Sequence, residues 1–209
     1  MSAGFHLELF DFEGAEAIQE EARDLGRSYF NPSAVSAGLD LLFNLTRRGD
    51  VGRAEALVGE VGEEVTKGGG WHGWLWRLRF TGLQAEMAVA RGQYDGAVAV
   101  AREAIEQSRS KHRVKYEVQA RVALARALVA LGRKRDALAE LSIARAAAER
   151  LGSPTLQVTV AATLLAIEPD EDVALKARAA VDRVLAALSD PTLRERFIRA
   201  EAVRTVASA

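Results

Sequence analysis

The sequence predicts an all-α protein made of stacked helical hairpins, and three observations favour this fold class. Apolar residues recur at spacings of three and four along almost the whole chain, the pattern of helices that bury one face. Residues 76–97 align with residues 116–137, each as a long helix, a glycine-containing break and the start of an alanine-rich helix. All 4 prolines fall at expected helix boundaries. Because one such hairpin cannot bury its own apolar face, neighbouring hairpins are expected to stack.

Residues that favour helix caps mark the ends of the expected helices. Gly49 suits a helix C-cap, and Asp50 suits the N-cap of the next helix. An N-cap residue followed by proline at the first helical position occurs at Asn31-Pro32, Ser153-Pro154 and Asp190-Pro191. The expected helices cover residues 13–27, 32–48, 51–66, 71–91, 94–109, 112–131, 135–151, 154–167, 171–188 and 191–207.

The chain is expected to form a single domain with three parts. These are residues 1–30 with an amino-terminal segment and an orphan helix, residues 31–188 with about four helical hairpins, and residues 189–209 with a capping helix. The orphan helix carries Ile18, Ala22 and Leu25 on its apolar side, and its outer side should stay partly apolar and exposed. The capping helix should cover the last hairpin with Phe197 and Val203.

Composition and charge argue against several classes of function. The 209 residues carry a formal net charge of -1, and Arg133-Lys134-Arg135 is a short basic block, so direct binding to nucleic acid is not expected. There is no cysteine, which excludes disulfides and thiolate metal sites. The start of the chain lacks the features of a secretion signal, and no uncharged run is long enough for a membrane span. We therefore expect a cytoplasmic protein without a membrane partner.

Residue groupings typical of catalysis are not found in the sequence. His6, His72 and His112 lack both cysteine partners and the spacing of a metal site, so neither a metal nor a cofactor is expected. No phosphate-binding G-x-x-x-x-G-K-[ST] loop occurs. No expected loop contains a histidine, a serine and an acidic residue together, as a catalytic cluster would need. The sequence is therefore interpreted as non-enzymatic, with an enzyme as the weakest alternative.

Small residues after the expected turns set the register of the repeat. They are Ala54, Ala97, Ala137 and Ala174, each five positions after one of Gly49, Gly92, Gly132 and Pro169. This pattern resembles the tetratricopeptide repeat (TPR), and the resemblance implies a right-handed solenoid of antiparallel helix pairs. The period is about 40 residues rather than the 34 of that family, so each helix should be longer. Between repeats, the proline of that family is matched at Pro154 alone.

Three stretches resemble a narrower group of repeat proteins. Residues 69–79, 90–95 and 113–117 are similar to the C-terminal helical-repeat region of large bacterial signalling ATPases and of adenylate-cyclase-like or maltose-activator-like transcriptional regulators. The resemblance implies a role in signalling or transcription regulation. The ATPase and output domains of such proteins have no counterpart in these 209 residues, so the chain is expected to be a fragment or a stand-alone relative.

The tryptophan-rich helix supplies the candidate binding residues. Trp71 and Trp74 fall with small core residues, whereas Trp76 falls on a different face. That face and its counterpart one repeat later carry His72, Trp76, Arg79, Glu86, Lys115, Tyr116, Gln119 and Arg126. In a TPR array both sets would line the concave groove, where aromatic and arginine side chains are common anchors. The alternative is that Trp76 and Tyr116 pack on neighbouring helices.

The expected function is non-catalytic binding or sensing. The candidate groove suits a peptide, a protein segment or a small effector that carries an acidic group and an apolar part. Arg79 and Arg126 would donate to the acid, while Trp76 and Tyr116 would cover the apolar part. The alternative is a structural or assembly role through the end faces of the array. The protein is expected to be a monomer or a weak homodimer.

Overall fold

The computed structural model describes residues 3–68, 70 and 72–209, and the regular structure of these residues is α-helix alone. The helices are α1 (Ala3–Glu8), α2 (Phe12–Tyr29), α3 (Asn31–Arg48), α4 (Val51–Lys67), α5 (Gly73–Ala90), α6 (Tyr94–Ser110), α7 (Val114–Ala130), α8 (Lys134–Leu151), α9 (Pro154–Leu165), α10 (Glu171–Ala187), α11 (Pro191–Arg199) and α12 (Glu201–Ser208). The all-α fold class is confirmed. Helices α2 to α10 match the expected ones to within a few residues at each end.

Successive helices pack as hairpins that stack side by side. α3, α5, α7 and α9 contact one another in that order and form a layer. α4, α6 and α8 each pack between two helices of this layer, and α10 packs on α9. α1 and α12 also lie against the layer. We refer to the side of the α3, α5, α7 and α9 layer that faces α1 and α12 as the inner face.

Glycines and small residues explain the tight hairpins. Gly49, Gly92 and Gly132 have left-handed backbones with φ of 80°, 72° and 74°, a conformation that glycine adopts without steric cost. The four alanines that follow the expected turns are buried: Ala54, Ala97, Ala137 and Ala174. Their predicted burial is therefore confirmed.

Three of the four expected N-caps are confirmed. The side chains of Asp50, Ser153 and Asp190 each accept a hydrogen bond from a backbone N–H in the first turn of the following helix. The prediction of Asn31 as an N-cap is wrong, because Asn31 is the first residue of α3 and Phe30 is its N-cap. Phe30 alone separates α2 from α3, so the first turn of α3 begins one residue earlier than the proline suggests.

α2 packs through a face other than its most apolar one. Its buried residues are Ala15, Gln19, Arg23 and Gly26. Gly26 explains this orientation, since a Cβ at Gly26 would lie 2.4 Å from the backbone nitrogen of Ala34 in α3. The buried Gln19 side chain has a hydrogen-bond partner in α3, because Asn44 Nδ2 donates to Gln19 Oε1 at 2.9 Å. Leu25, on the apolar side of the helix, is 52% exposed.

The expected capping helix is in fact two helices. Ala200 has an extended backbone with ψ of 137° and separates α11 from α12. The bend places α12 against α9. Phe197 before the bend and Val203 and Val206 after it are all buried. The single helix over residues 191–207 is therefore wrong, while the predicted burial of Phe197 and Val203 is confirmed.

Candidate functional site

Residues 3–11, which we call the docked segment, cross the inner face. The Glu8 carboxylate accepts hydrogen bonds from the Lys115 ammonium of α7 and, at 2.8 Å, from the Thr155 hydroxyl of α9. Leu9 is buried in an apolar cluster with residues of α9 to α12. The docked segment therefore connects the middle of the array to its last helices through one acid and one apolar side chain.

Asp11 ends the docked segment as a buried side chain with three partners. Its two oxygens lie 2.9 and 3.0 Å from Arg196 Nη1 of α11. Oδ2 is 2.6 Å from His6 Nδ1, and Oδ1 accepts from the backbone N–H of Gly14 at 3.0 Å. This last contact caps α2. Asp11 thus fixes both the start of α2 and the position of α11.

Both acids of the docked segment are held as carboxylates. Burial raises the pKa of Glu8, but the charge of Lys115 and hydrogen bonds from Lys115 and Thr155 outweigh it and lower the pKa. Burial also raises the pKa of Asp11, and the hydrogen bonds described above again produce a net lowering. The inner face therefore favours negative charge at both positions.

Phe10 joins the docked segment to α11. Its ring stacks on that of Phe197, with centroids 5.9 Å apart and planes within 12° of parallel. Its backbone is left-handed with φ of 56°, a conformation that costs a residue with a Cβ about 1–2 kcal/mol. The contacts of the docked segment must offset this strain.

Three side-chain pairs link α3 to α5 along the inner face. Trp76 Nε1 donates to Ser36 Oγ at 3.1 Å, Arg79 pairs with Asp40, and Arg47 forms two hydrogen bonds of 2.9 and 3.0 Å with Glu86. Each pair joins neighbouring repeats. Arg79 and Glu86, which were expected to contact a ligand, are therefore already engaged in ion pairs within the array.

The tryptophans are distributed differently from the expectation. Trp76 is only 5% exposed and belongs to the core of the first hairpins. The expectation of an open aromatic face at Trp76 is wrong, and its packing on a neighbouring helix agrees with the alternative. Trp74 is partly exposed, with the Arg113 guanidinium 5.0 Å from its ring centre. Trp71 lies outside the described residues.

The eight candidate residues border three cavities of the inner face. Arg79, Glu86, Lys115, Tyr116 and Gln119 meet beneath the docked segment. His72 and Trp76 border a separate depression next to Pro32. Arg126 borders a third cavity, which shares Phe10 and Thr159 with the first. The structure therefore brings five of the eight residues together.

The cavity beneath the docked segment is not completely filled. It has a volume of about 110 Å³ and lies between Leu7 and Glu8 on one side and α3, α5 and α7 on the other. Ser108 borders it and is 1% exposed, and its hydroxyl has no hydrogen-bond partner among the described residues. Unpaired buried hydroxyls are uncommon in folded proteins. The docked segment thus leaves both space and a polar group unmatched.

The third cavity combines apolar walls with an unpaired arginine. It measures about 650 Å³, and its apolar residues are Phe10, Phe12, Val129, Ala162, Ala166, Ile167, Ala200 and Ala202. Arg47 and Arg48 at this cavity are engaged by acids. Arg126 has no hydrogen bond or ion pair within the described part of the chain. The Arg126 residue is exposed by its surface area. Neighbouring atoms nevertheless desolvate its guanidinium in part, which lowers its pKa, and the charges of Glu86 and Glu201 oppose this effect.

The residues that occupy the inner face were missed by sequence reasoning. They are Leu7, Glu8, Leu9, Phe10 and Asp11, together with Arg196. Their contacts join distant parts of the chain, and α1 has six residues, too few for an apolar period to be recognised. The available signal is the run of apolar and acidic residues at 7–11, ahead of the first expected helix.

Comparison with known proteins gave no match to a family model and no match among curated proteins. The TPR resemblance therefore rests on the turn and small residues and on the stacked hairpins. Within residues 3–68, 70 and 72–209, no group of three or more His, Cys, Asp or Glu side chains could hold a metal ion. None of the helices described is both long and apolar enough to cross a membrane.

Proposed function

We propose that this protein is a non-catalytic binding module whose inner face takes up a small ligand with an acidic group and an apolar part. The observation that carries the proposal is Arg126, an exposed guanidinium that forms no direct hydrogen bond or ion pair with the described residues and borders a cavity with largely apolar walls. A carboxylate can accept two parallel hydrogen bonds from such a group. The volume of about 650 Å³ falls within the usual range for ligand pockets.

The docked segment supports the same ligand chemistry. Glu8 stands between Leu7 and Leu9, and Lys115 and Thr155 bind its carboxylate. The part of the inner face around Lys115 and Thr155 therefore already binds an acid flanked by apolar residues. The proposal assigns the same preference to the third cavity, around Arg126.

The proposal places this cavity in a right-handed, TPR-like array with a period of about 40 residues. The stretches at 69–79, 90–95 and 113–117 favour a regulatory setting, because they resemble repeat regions of bacterial signalling proteins. In such a setting, ligand binding would change how the array contacts another domain or protein.

A second candidate function is assembly through the end of the array formed by α2. Leu25, Tyr29 and Phe30 are exposed there, next to the link between α2 and α3. Neighbouring exposed apolar side chains often mark contact surfaces. In this case light scattering would show a dimer that Tyr29→Glu dissociates, and a monomer at all concentrations would reject self-association.

The proposed function can be tested with matched pairs of aryl or alkyl carboxylates and their primary amides. We expect carboxylates, but not the amides, to raise the melting temperature, since a ligand stabilises the folded state that binds it. Arg126→Gln should remove the effect. Arg178→Gln, an exposed arginine of α10, is the matched control and should retain it. Equal stabilisation of the wild type and Arg126→Gln would reject the proposal.

A further inference from the structure

We propose that the docked segment is an intramolecular ligand in a binding site for a partner segment of the same chemistry. That partner would carry an acidic residue between two apolar residues, followed by an aromatic residue and a second acid, as in Leu7-Glu8-Leu9-Phe10-Asp11. The site lies under the docked segment and does not include Arg126, although Phe10 borders both cavities, so it goes beyond the proposed function. The two proposals can therefore fail separately.

Charge complementarity defines the first requirement for the partner. The array supplies Lys115 from α7 and Arg196 from α11, and each binds one acid of the docked segment. Without Glu8, the Lys115 ammonium and the Thr155 hydroxyl would both be available to an incoming carboxylate. A partner with a basic residue at the Glu8 position would meet Lys115 directly and be repelled.

Apolar contacts define the second requirement. Leu9 is buried beside α9 and the last helices, and the Phe10 ring covers Phe197. These two residues follow the first acid and precede the second, so the site recognises a short sequence pattern, presented by the end of α1 and the turn after it, rather than a single group. Nucleic acids lack this pattern and carry no apolar side chains, which favours a protein segment as the occupant.

The fit of the docked segment indicates that another segment can replace it. The cavity of about 110 Å³ beneath it and the unpaired Ser108 hydroxyl show incomplete complementarity. Phe10 is held in a left-handed conformation, and Phe5 is 40% exposed. The carboxylate of Glu8 and the ammonium of Lys115 remain partly open to solvent, where ion pairs contribute little. An incoming segment that also fills the cavity would bind in place of residues 3–11.

The test uses the full chain and a labelled peptide with the sequence of residues 3–12, followed by fluorescence polarisation. In the wild type, the docked segment should keep the peptide affinity low, because only the open fraction of molecules can bind. Glu8→Lys opposes Lys115 in cis, so this variant should bind the peptide at least about tenfold more tightly. A peptide that carries the same Glu8→Lys change should not bind to this Glu8→Lys protein.

A charge exchange keeps the test decisive if the single variant alters the fold. Glu8→Lys combined with Lys115→Glu should lose the native peptide, and a Glu8→Gln protein, which keeps the size of residue 8, should bind the native peptide with intermediate affinity. Far-UV circular dichroism confirms that each variant is folded. Equal affinity of the wild type and Glu8→Lys, or binding that does not depend on Lys115, would overturn the proposal. The proposal would also be overturned if the protein formed dimers that exchange residues 3–11 and the peptide affinity did not rise. In that case the site would be occupied by the docked segment of a second copy of this chain.

Discussion

Phe10 and Phe197 stack with ring centroids 5.9 Å apart and planes within 12° of parallel, which joins the first turn of the chain to its last helices. Phe197 is fully buried, whereas Phe10 is partly exposed and has a strained backbone. The contact therefore unites residues that no local pattern connects. Phe10 also borders both the cavity beneath the docked segment and the third cavity.

Truncation of these two rings should have unequal effects. Phe197→Ala should lower the free energy of unfolding by about 3–5 kcal/mol, the usual cost of removing a buried aromatic side chain. Phe10→Ala should cost less than Phe197→Ala, because Phe10 loses about 0.5–1.5 kcal/mol for the aromatic pair and only the apolar area of a partly exposed ring. Ile198→Ala, at an exposed neighbour on α11, should change little. Urea unfolding of the three variants measures this, and equal losses at Phe10 and Phe197 would contradict the assignment.

The core role of Trp76 predicts a large loss on truncation. Trp76→Ala should cost about 3–5 kcal/mol of unfolding free energy. Trp76→Phe, which mainly removes the hydrogen bond to Ser36, should cost about 0.5–1.5 kcal/mol beyond any repacking. Trp74→Ala should cost less than Trp76→Ala, because Trp74 is partly exposed. A stable Trp76→Ala variant would restore the interpretation of Trp76 as an open groove residue.

The pair Arg47 and Glu86 should couple neighbouring repeats. Both side chains are mostly buried, so removing either one leaves a charge without its partner, at a cost of about 1–3 kcal/mol. A double-mutant cycle should therefore show that the double variant loses less than the sum of the single losses. The exposed pair Glu63 and Lys67 is the control and should couple weakly. Strict additivity for Arg47 and Glu86 would mean that the ion pair does not stabilise the array.

His112 should be replaceable by glycine with a gain in stability. Its backbone has φ of 53° in the turn between α6 and α7, and the corresponding turn one repeat later, between α8 and α9, carries Gly152 with φ of 71°. His112→Gly should stabilise by about 0.5–1 kcal/mol, because the relief of strain exceeds the entropy lost by glycine. Lys111→Gly, at the neighbouring residue with φ of -103°, should destabilise instead. Chemical unfolding of both variants decides between them.

Acid should release the docked segment. Glu8 and Asp11 have pKa values below their ordinary values of 4.5 and 3.8. The two carboxylates therefore stabilise docking in full when the pH is above these ordinary pKa values. This stabilisation is lost as the pH falls through the lowered pKa values of the docked state. The chain has no cysteine, so Phe5→Cys and Lys111→Cys accept a pair of distance labels. We expect the label distance to increase on acidification before the helices unfold.

The control for this pH dependence is the pair of changes Glu8→Gln and Asp11→Asn in the labelled protein. These amides cannot titrate, so acidification should no longer move the segment before the helices unfold. A label distance that responds to acid in the same way with and without the two carboxylates would contradict the assigned role of Glu8 and Asp11.

The helices and turns could be predicted because their signals are local. Gly49, Gly92 and Gly132 mark turns by their own backbone requirements, and Ala97 and Ala137 mark the packed side of their helices. Trp76 could not be placed correctly, because the sequence shows which residues of α5 share a face but not which neighbouring helix covers that face. Its partner, Ser36, comes from the preceding repeat.

The docked segment and the orientation of α2 depend on tertiary contacts. Gly26 turns α2 by its close approach to Ala34, which overrides the apolar side that contains Leu25. Glu8 contacts Lys115 and Thr155, which are distant from it in the sequence and lie together only in the folded array. Five of the eight candidate residues nevertheless border one cavity. Among them, Arg79 and Gln119 lie one repeat apart on equivalent helix faces.

The most direct test of the proposed binding function is a map of amide chemical shifts in nitrogen-15-labelled protein during titration with a carboxylate and its matched amide. We predict that the carboxylate alone perturbs residues around the third cavity, on α7 near Arg126 and on α9 near Thr163, and that Arg126→Gln abolishes these changes. Perturbations confined to the opposite side of the array, or equal responses to the carboxylate and the amide, would contradict the account.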